Sequence, residues 1–322
     1  MPGHFEEFEF TSQDIDRPLI ARAFVPEYFT RRTGLVALVH GWGAARDEQD
    51  HLAGFFEARD LLALQIGYRD SGYDSEMGRK TGIGWRIPYE FGKLQAIDTL
   101  RAVRKALARY QINRHRLFLV GGSGGGHNVL QAMSFAPNTF ALTVGLAPAS
   151  RPTNQDDVED GGYITDATPG RYRTLGFDFD NGWGLQGVAL GLDAEFSQEE
   201  IDIRNCQRPE HVAVVRCKVT LIAGANDNLL SPRHSIDMAV ALVNAGKQVE
   251  LHVLDGVNHG IEFEGMPGYF PTMKILEEYV ASDLITMETD GNTDFDRHDT
   301  IHLGNWRVTY EDGIPELTGP SG

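Results

Sequence analysis

A glycine-rich turn between a strand and a helix constrains this chain more than any other feature of its sequence. The turn, Gly121-Gly122-Ser123-Gly124-Gly125, follows the apolar segment 116–120 and precedes a helical segment at 126–135. A G-x-S-x-G turn in that position exposes the serine hydroxyl on strained backbone, and its neighbours must lack a Cβ. The N–H groups at the start of the helix face the serine, where negative charge develops during acyl transfer. Ser123 is therefore the candidate nucleophile.

Two phosphate-binding motifs also use glycine-rich turns, but neither fits this one. A dinucleotide site has G-x-G-x-x-G after the first strand of its sheet, whereas this turn follows a late strand. A Walker loop requires Gly-Lys-Ser or Gly-Lys-Thr, which the turn lacks. The sequence therefore favours the nucleophile interpretation.

A nucleophilic serine needs a base that accepts its proton, and the base needs an acceptor that fixes its tautomer. His259 lies in a loop directly after the segment 249–254, and Asp227 follows the segment 219–223. Both segments resemble buried strands, so both side chains are expected at the end of a strand. We predict that His259 is the base and that Asp227 is its acceptor.

Other residues compete for these two roles but occupy less suitable places. His252 lies within a strand-like segment, His127 lies one turn into the helix after the nucleophile, and His40 ends an early strand. Asp255 lies in the same loop as the candidate base and is expected to form a turn.

Acyl transfer also requires hydrogen-bond donors for the oxyanion. The N–H of Gly124, directly after the nucleophile, is one candidate. The run His40-Gly41-Trp42-Gly43 follows an early strand. We predict the N–H of Trp42 as the second donor and that of Gly43 as its reserve. The Trp42 side chain is also a candidate for contact with the substrate.

Apolar, strand-like segments alternate with helical ones over most of the chain. The predicted strands are 5–10, 19–25, 34–39, 61–66, 116–120, 140–145, 219–223 and 249–254, and the predicted helices are 47–59, 90–110, 126–135, 232–245 and 267–281. This alternation predicts an α/β fold with a mostly parallel central sheet flanked by helices. No helix separates the first two strands, so an antiparallel start is expected. A short β-hairpin is predicted around Gly304 and Asn305.

The order Ser123, Asp227, His259, together with the His40-Gly41-Trp42-Gly43 run, resembles the α/β-hydrolase superfamily over about residues 30–282. Residues 89–98 before the turn and 136–140 after it are similar to the prolyl-oligopeptidase-type and esterase branch and its bacterial relatives. The resemblance implies an α/β-hydrolase fold. It also implies cleavage of an ester, thioester or amide through an acyl-enzyme, without a cofactor.

The resemblance also suggests a domain organisation. Segment 151–216 falls where this fold usually carries a cap, so we expect a core of residues 1–150 and 217–284, a cap or lid at 151–216 and a C-terminal extension at 285–322. An excursion that packs on the sheet edge is the alternative for 151–216. Aromatic residues in this segment are predicted to contact the substrate: Tyr163, Tyr172, Phe177, Phe179 and Trp183.

Three aspartates and one asparagine alternate with other residues early in the C-terminal extension, at Asp290, Asn292, Asp294 and Asp296. Calcium loops show such alternation, but the glycine and the terminal glutamate of an EF-hand are missing. A solvated turn is expected here, and no metal site.

The charge balance excludes two classes of partner. The chain has 46 Asp and Glu against 29 Lys and Arg, which gives a formal net charge of −17, unlike a protein that binds nucleic acid or anionic membranes. No apolar run approaches the ~18 residues of a membrane-spanning helix, and the acidic N-terminus does not resemble a signal peptide. The only cysteines, Cys206 and Cys217, are expected to be thiols of a cytoplasmic protein.

Together these features favour a serine hydrolase of the carboxylesterase type, acting on a small-molecule ester. A peptidase or amidase that uses the same triad on a peptide substrate is the first alternative. The second alternative, from a different class, is a non-catalytic hydrolase-fold protein that binds a ligand or partner. The presence of all three triad residue types in order disfavours this last reading.

Overall fold

The fold is known from a computed structural model, which describes residues 3–41, 44–69, 71–72, 92–151, 197–227, 230–259 and 272–320. The strands of its central sheet are β1 (His4–Thr11), β2 (Pro18–Val25), β3 (Gly34–Val39), β4 (Leu61–Ile66), β5 (Leu117–Gly122), β6 (Leu142–Leu146), β7 (Lys218–Gly224) and β8 (Val249–Leu254). They are ordered β1-β2-β4-β3-β5-β6-β7-β8. β2 pairs antiparallel with β1 and β4, and the other neighbours pair in parallel. The predicted sheet with its antiparallel start is confirmed.

The helices described are α1 (Ala53–Glu57), α2 (Lys93–Arg109), α3 (Gly124–Phe135), α4 (Gln198–Arg204), α5 (Pro209–Val214), α6 (Arg233–Asn244), α7 (Thr272–Tyr279), α8 (Ala281–Thr286) and α9 (Asp294–Arg297). A 3₁₀ helix, Arg46–Leu52, precedes α1. The predicted helix at 267–281 differs from the structure, because a break at Val280 separates α7 from α8. Residues 267–271 of that prediction lie outside the described residues.

Both faces of the sheet are covered. All six residues of β3 are buried, and successive side chains of a strand point to opposite faces. Leu35 and Ala37 pack in a cluster with α2, α3 and α6. Val36 and Leu38 pack in a second cluster with α1, α7 and α8. This layered packing makes the central strands rigid supports for the loops at their carboxyl ends.

The C-terminal residues form a second, antiparallel sheet of three strands: β9 (Thr300–Leu303), β10 (Trp306–Glu311) and β11 (Ile314–Thr318). The predicted hairpin corresponds to β9 and β10. β11 was missing from the prediction because Pro315 lacks the N–H that a strand interior uses, but an edge strand tolerates it. The Tyr310 hydroxyl donates to the Phe135 carbonyl over 2.8 Å, so this sheet packs directly on α3.

Asp294 corrects one expectation about the C-terminal extension. A solvated turn was expected, but Asp294 is fully buried. Its carboxylate accepts hydrogen bonds from the Asn138 backbone and the Thr139 hydroxyl, both over 2.8 Å, and burial raises its pKa. The aspartate therefore anchors the extension to the loop that follows α3.

Most of the predicted cap, residues 152–196, lies outside the described residues. Its last part contains α4 and α5, which were not predicted because each is shorter than two turns. Ser150, the residue just before the segment, contacts its described last part: the Ser150 carbonyl accepts from the Cys206 N–H over 2.9 Å, and the Ser150 hydroxyl accepts from the Gln207 side chain over 2.7 Å. The division into core, cap and extension stays a prediction.

Both cysteines are free and buried. Burial raises the pKa of Cys217 to about 11 and the pKa of Cys206 further still, so both thiols are protonated at neutral pH. Within the described ranges, no helix is long and apolar enough to cross a membrane.

From three buried histidines we predict that the free energy of unfolding falls in acid. Burial lowers the pKa values of His40, His127 and His211 from 6.5 to about 4. The unfolded chain therefore binds more protons between pH 6.5 and pH 4, so the stability these residues contribute is complete above pH 6.5 and is lost as the pH falls toward 4. We expect each histidine to cost about 2 kcal/mol of unfolding free energy at pH 5 relative to pH 7, measured by urea denaturation.

His211→Gln should flatten that pH dependence by about a third, since a glutamine does not titrate. His302 is exposed, so His302→Gln should leave the pH dependence unchanged. An unfolding free energy that is equal at pH 5 and pH 7 would contradict the prediction.

Candidate active site

Ser123 lies on the sharp turn between β5 and α3. Its φ of 53° and ψ of −120° are unusual for a residue with a Cβ, and such backbone costs about 1–3 kcal/mol. The Ser123 N–H donates to the Leu146 carbonyl on the neighbouring strand over 2.8 Å, which helps to hold the turn. The serine is 9% exposed.

Close backbone packing explains the glycines around Ser123. A Cβ on Gly121 would lie 2.3 Å from the Gly125 carbonyl oxygen, and a Cβ on Gly125 would lie 2.1 Å from that of Val39. One on Gly126 would lie 2.6 Å from Pro148 Cβ. The first turn of α3 can therefore approach β3 and β5 only without side chains at these positions.

The structure brings the three predicted triad residues together. His259 Nε2 lies 3.0 Å from Ser123 Oγ, and His259 Nδ1 lies 2.8 Å from Asp227 Oδ2. Asp227 follows β7, and His259 lies in the loop after β8. These are neighbouring parallel strands, so their carboxyl ends place both loops beside each other and beside the turn after β5.

Backbone contacts fix the two loops that carry Asp227 and His259. The Asn226 N–H donates to the Val257 carbonyl over 2.8 Å. The second carboxylate oxygen of Asp227, Oδ1, accepts from the Leu230 N–H over 2.9 Å. The Asp227 side chain has no exposed surface, and that of His259 is 4% exposed. A buried carboxylate must be hydrogen-bonded. The Leu230 N–H and His259 Nδ1 provide hydrogen bonds to the Asp227 carboxylate.

This geometry suits proton transfer from a serine hydroxyl. With Nδ1–H donated to Asp227, the His259 Nε2 lone pair faces the Ser123 hydroxyl and can accept its proton. Gly124 is the first residue of α3, where an N–H has no carbonyl partner within the helix. The arrangement therefore brings together a hydroxyl, an imidazole, a carboxylate and a backbone N–H, which are the groups that the predicted nucleophile, base, acceptor and oxyanion donor require.

Several predicted site residues lie outside the described residues. They are Trp42, Gly43, Tyr163, Tyr172, Phe177, Phe179 and Trp183. Their roles stay predictions.

The residues that competed with His259 and Asp227 have other environments. His127 Nε2 is bound to the Arg204 carbonyl over 2.7 Å, the His252 ring lies against Tyr279, and Asp255 is exposed in the turn after β8. In the part of the chain that the structure describes, no group of three or more His, Cys, Asp or Glu could hold a metal ion.

Tyr68 and Ser71 were missing from the sequence analysis. Both contact His40: the Tyr68 ring stacks on it with centroids 4.3 Å apart, and Ser71 Oγ lies 2.6 Å from its Nε2. The available signal was their position just after β4, at the same sheet edge as His40. They support the backbone that leads into the predicted oxyanion loop.

Sequence comparison relates the chain to peptidases. Residues 78–184 match the prolyl oligopeptidase family. The chain is 31% identical over 255 residues to the dipeptidyl peptidase family member 6 of Caenorhabditis elegans, a match that covers 77% of this chain and 30% of that protein. The chain thus spans about a third of the length of this curated relative.

Structure comparison returns peptidases and esterases. The acylaminoacyl peptidase of Pyrococcus horikoshii superposes with a TM-score of 0.64 at 16% identity, covering 90% of this chain and 42% of that one. A puromycin-hydrolyzing peptidase of Mycobacterium tuberculosis superposes with a TM-score of 0.58 at 20% identity, covering 81% of this chain and 37% of that one. Carboxyl esterase 2 of Tuber melanosporum superposes with a TM-score of 0.62 at 12% identity, covering 88% of this chain and 87% of that one. At these identities the likeness establishes the fold.

The chain therefore has the α/β-hydrolase fold. It is similar to the prolyl oligopeptidase family over residues 78–184 and to peptidases and esterases of this fold.

Proposed function

We propose that this chain hydrolyses a carboxylic acid derivative through an acyl-enzyme formed on Ser123. One observation carries the proposal: the continuous hydrogen-bonded series from Ser123 through His259 to Asp227, with the serine held at positive φ on the turn before α3. A non-catalytic binding protein has no need for strained backbone beneath a serine that faces a histidine.

The proposed reaction has two halves. His259 Nε2 accepts the Ser123 proton while Oγ attacks the substrate carbonyl, and the resulting imidazolium is stabilised by the buried Asp227 carboxylate. The Gly124 N–H and a second donor bind the oxyanion. The imidazolium then protonates the leaving group. A water molecule, deprotonated by the same imidazole, finally releases the acid and restores the serine.

The bond that is cleaved has two candidates of equal weight. Ester cleavage is the reaction that the triad can perform with the fewest further groups, because an alkoxide leaves more readily than an amide anion, whereas an amide nitrogen must be protonated before it leaves. Peptide cleavage is favoured by the relatives: the family that residues 78–184 match and the curated relative are both described as peptidases. Two of the similar structures are also peptidases, for acylaminoacyl and puromycin substrates.

A pair of substrates with one acyl group and two leaving groups separates these candidates. We would compare kcat/KM for the p-nitrophenyl ester and the p-nitroanilide of N-acetyl-alanine, and test fluorophosphonate labelling of Ser123 on a separate sample. We expect labelling at Ser123 and turnover of the ester. Anilide turnover within about tenfold of ester turnover would identify a peptidase, and turnover of the ester alone would identify an esterase. If Ser123 is not labelled and neither substrate is turned over, the chain is a non-catalytic binding protein instead.

A further inference from the structure

A buried histidine and tyrosine meet beneath the backbone that leads into the predicted oxyanion loop. His40 directly follows β3, and Tyr68 lies two residues after β4. Each is 2% exposed, and their rings stack with an interplanar angle of 19°. Neither side chain belongs to the proposed triad, so their burial together calls for another explanation.

Both side chains bind the carbonyl groups of this backbone. His40 Nδ1 lies 2.8 Å from the Gly41 carbonyl oxygen. The Tyr68 hydroxyl lies 3.1 Å from the His40 carbonyl oxygen and 3.3 Å from that of Gly41. Two successive carbonyl groups are thus turned toward the same pair of side chains.

The contacts determine the tautomer of His40. A carbonyl oxygen can only accept, so Nδ1 must carry the proton that goes to Gly41. Burial lowers the pKa of His40 to about 4, so the ring is neutral at neutral pH. Nε2 is then an acceptor, and Ser71 donates its hydroxyl proton to it. Because Nδ1 already carries its proton, the Tyr68 hydroxyl donates to a carbonyl oxygen instead.

The same backbone supports the turn that carries the nucleophile. A Cβ on Gly125 would lie 2.4 Å from the His40 carbonyl oxygen, so the first turn of α3 rests against it. A peptide group is planar and trans, so its N–H points away from its carbonyl oxygen. The Gly41 carbonyl shares a peptide group with the N–H of Trp42, which is the predicted second oxyanion donor. Holding that carbonyl therefore orients the donor.

We propose that His40 and Tyr68 are positioning residues that hold the Gly41 carbonyl and thereby aim the next N–H at the oxyanion formed on Ser123. This inference rests on the proposed function. Preorganised donors are effective because they need no reorientation as charge develops. A donor whose peptide group can rotate loses part of that advantage in the transition state, while substrate binding changes little.

Tyr68→Phe removes the hydroxyl and keeps the ring stacked on His40. We expect kcat for the p-nitrophenyl ester to fall at least tenfold with KM within about twofold, because the loss affects the oxyanion. Affinity for an aryl trifluoromethyl ketone, whose adduct with serine carries the same oxyanion, should fall by a similar factor. Tyr310→Phe is the matched control, since that buried hydroxyl also binds a backbone carbonyl but supports the C-terminal sheet. It should leave kcat unchanged.

A second pair of variants tests the tautomer. An asparagine at position 40 places an amide N–H where Nδ1–H lies, whereas a glutamine places it closer to Nε2. His40→Asn should therefore retain a kcat at least fivefold higher than that of His40→Gln. If Tyr68→Phe does not fold, the comparison of His40→Asn with His40→Gln tests the positioning role by itself.

The outcomes separate this inference from the proposed function. If fluorophosphonate labels Ser123 and Tyr68→Phe matches Tyr310→Phe in kcat and in ketone affinity, the positioning role is wrong and the hydrolase stands. Equal kcat values for His40→Asn and His40→Gln would also overturn it. If the unsubstituted chain is neither labelled nor active, the proposed function fails first.

Discussion

Ser123→Ala should abolish labelling by a fluorophosphonate and lower kcat for the p-nitrophenyl ester by roughly 10⁴-fold to 10⁶-fold. The substitution removes Oγ, which is the atom 3.0 Å from His259 Nε2, and no other group stands in its place. Triad members act as a unit, so loss of the nucleophile costs about as much as loss of the whole triad. Alanine keeps the Cβ, so the strain of the turn changes little and the fold should be retained.

Ser134→Ala is a demanding control for this result. Ser134 lies on the same helix as the nucleophile turn, is buried, and has its Oγ 3.1 Å from His211 Nδ1. It therefore forms a serine–histidine contact outside the triad, and among the described residues no carboxylate is hydrogen-bonded to this histidine. We expect full labelling and an unchanged kcat in Ser134→Ala. Activity retained in Ser123→Ala would show that the nucleophile lies elsewhere.

The local parts of the site could be predicted from the sequence. The glycines around Ser123 are required by contacts within one turn and its neighbouring strand, so their pattern appears directly in the sequence. Asp227 and His259 could be predicted because each follows an apolar segment of strand length, and parallel strands bring their carboxyl ends to one edge. The structure places all three side chains in hydrogen-bonding contact.

The parts that escaped prediction depend on contacts between distant residues. The Tyr68 hydroxyl meets backbone 27 and 28 residues away, and Asp294 is buried against Asn138, 156 residues away. An aspartate in a turn-like run has no local feature that distinguishes burial from solvation. The short helices α4 and α5 are likewise stabilised by packing, which a periodicity of one or two turns does not reveal.

Asp227→Asn should lower kcat by about 10³-fold to 10⁴-fold while preserving the fold. The reason lies in the second contact of this side chain. Asp227 Oδ1 accepts from the Leu230 N–H over 2.9 Å, so an asparagine keeps its carbonyl oxygen there and turns its NH₂ group toward His259. Nδ1 of His259 must then accept, which moves the ring proton to Nε2. The imidazole would face Ser123 with a proton where a lone pair is needed.

Asp255→Asn is the matched control, because Asp255 lies four residues before His259 but is exposed in the turn after β8. It should leave kcat unchanged, since an exposed carboxylate in that turn does not contact the imidazole in the structure. The tautomer explanation also predicts that KM in Asp227→Asn changes far less than kcat, because the substitution acts on proton transfer. Equal losses in Asp227→Asn and Asp255→Asn would instead indicate a general effect of negative charge near His259. A full kcat in Asp227→Asn would show that another carboxylate orients the base.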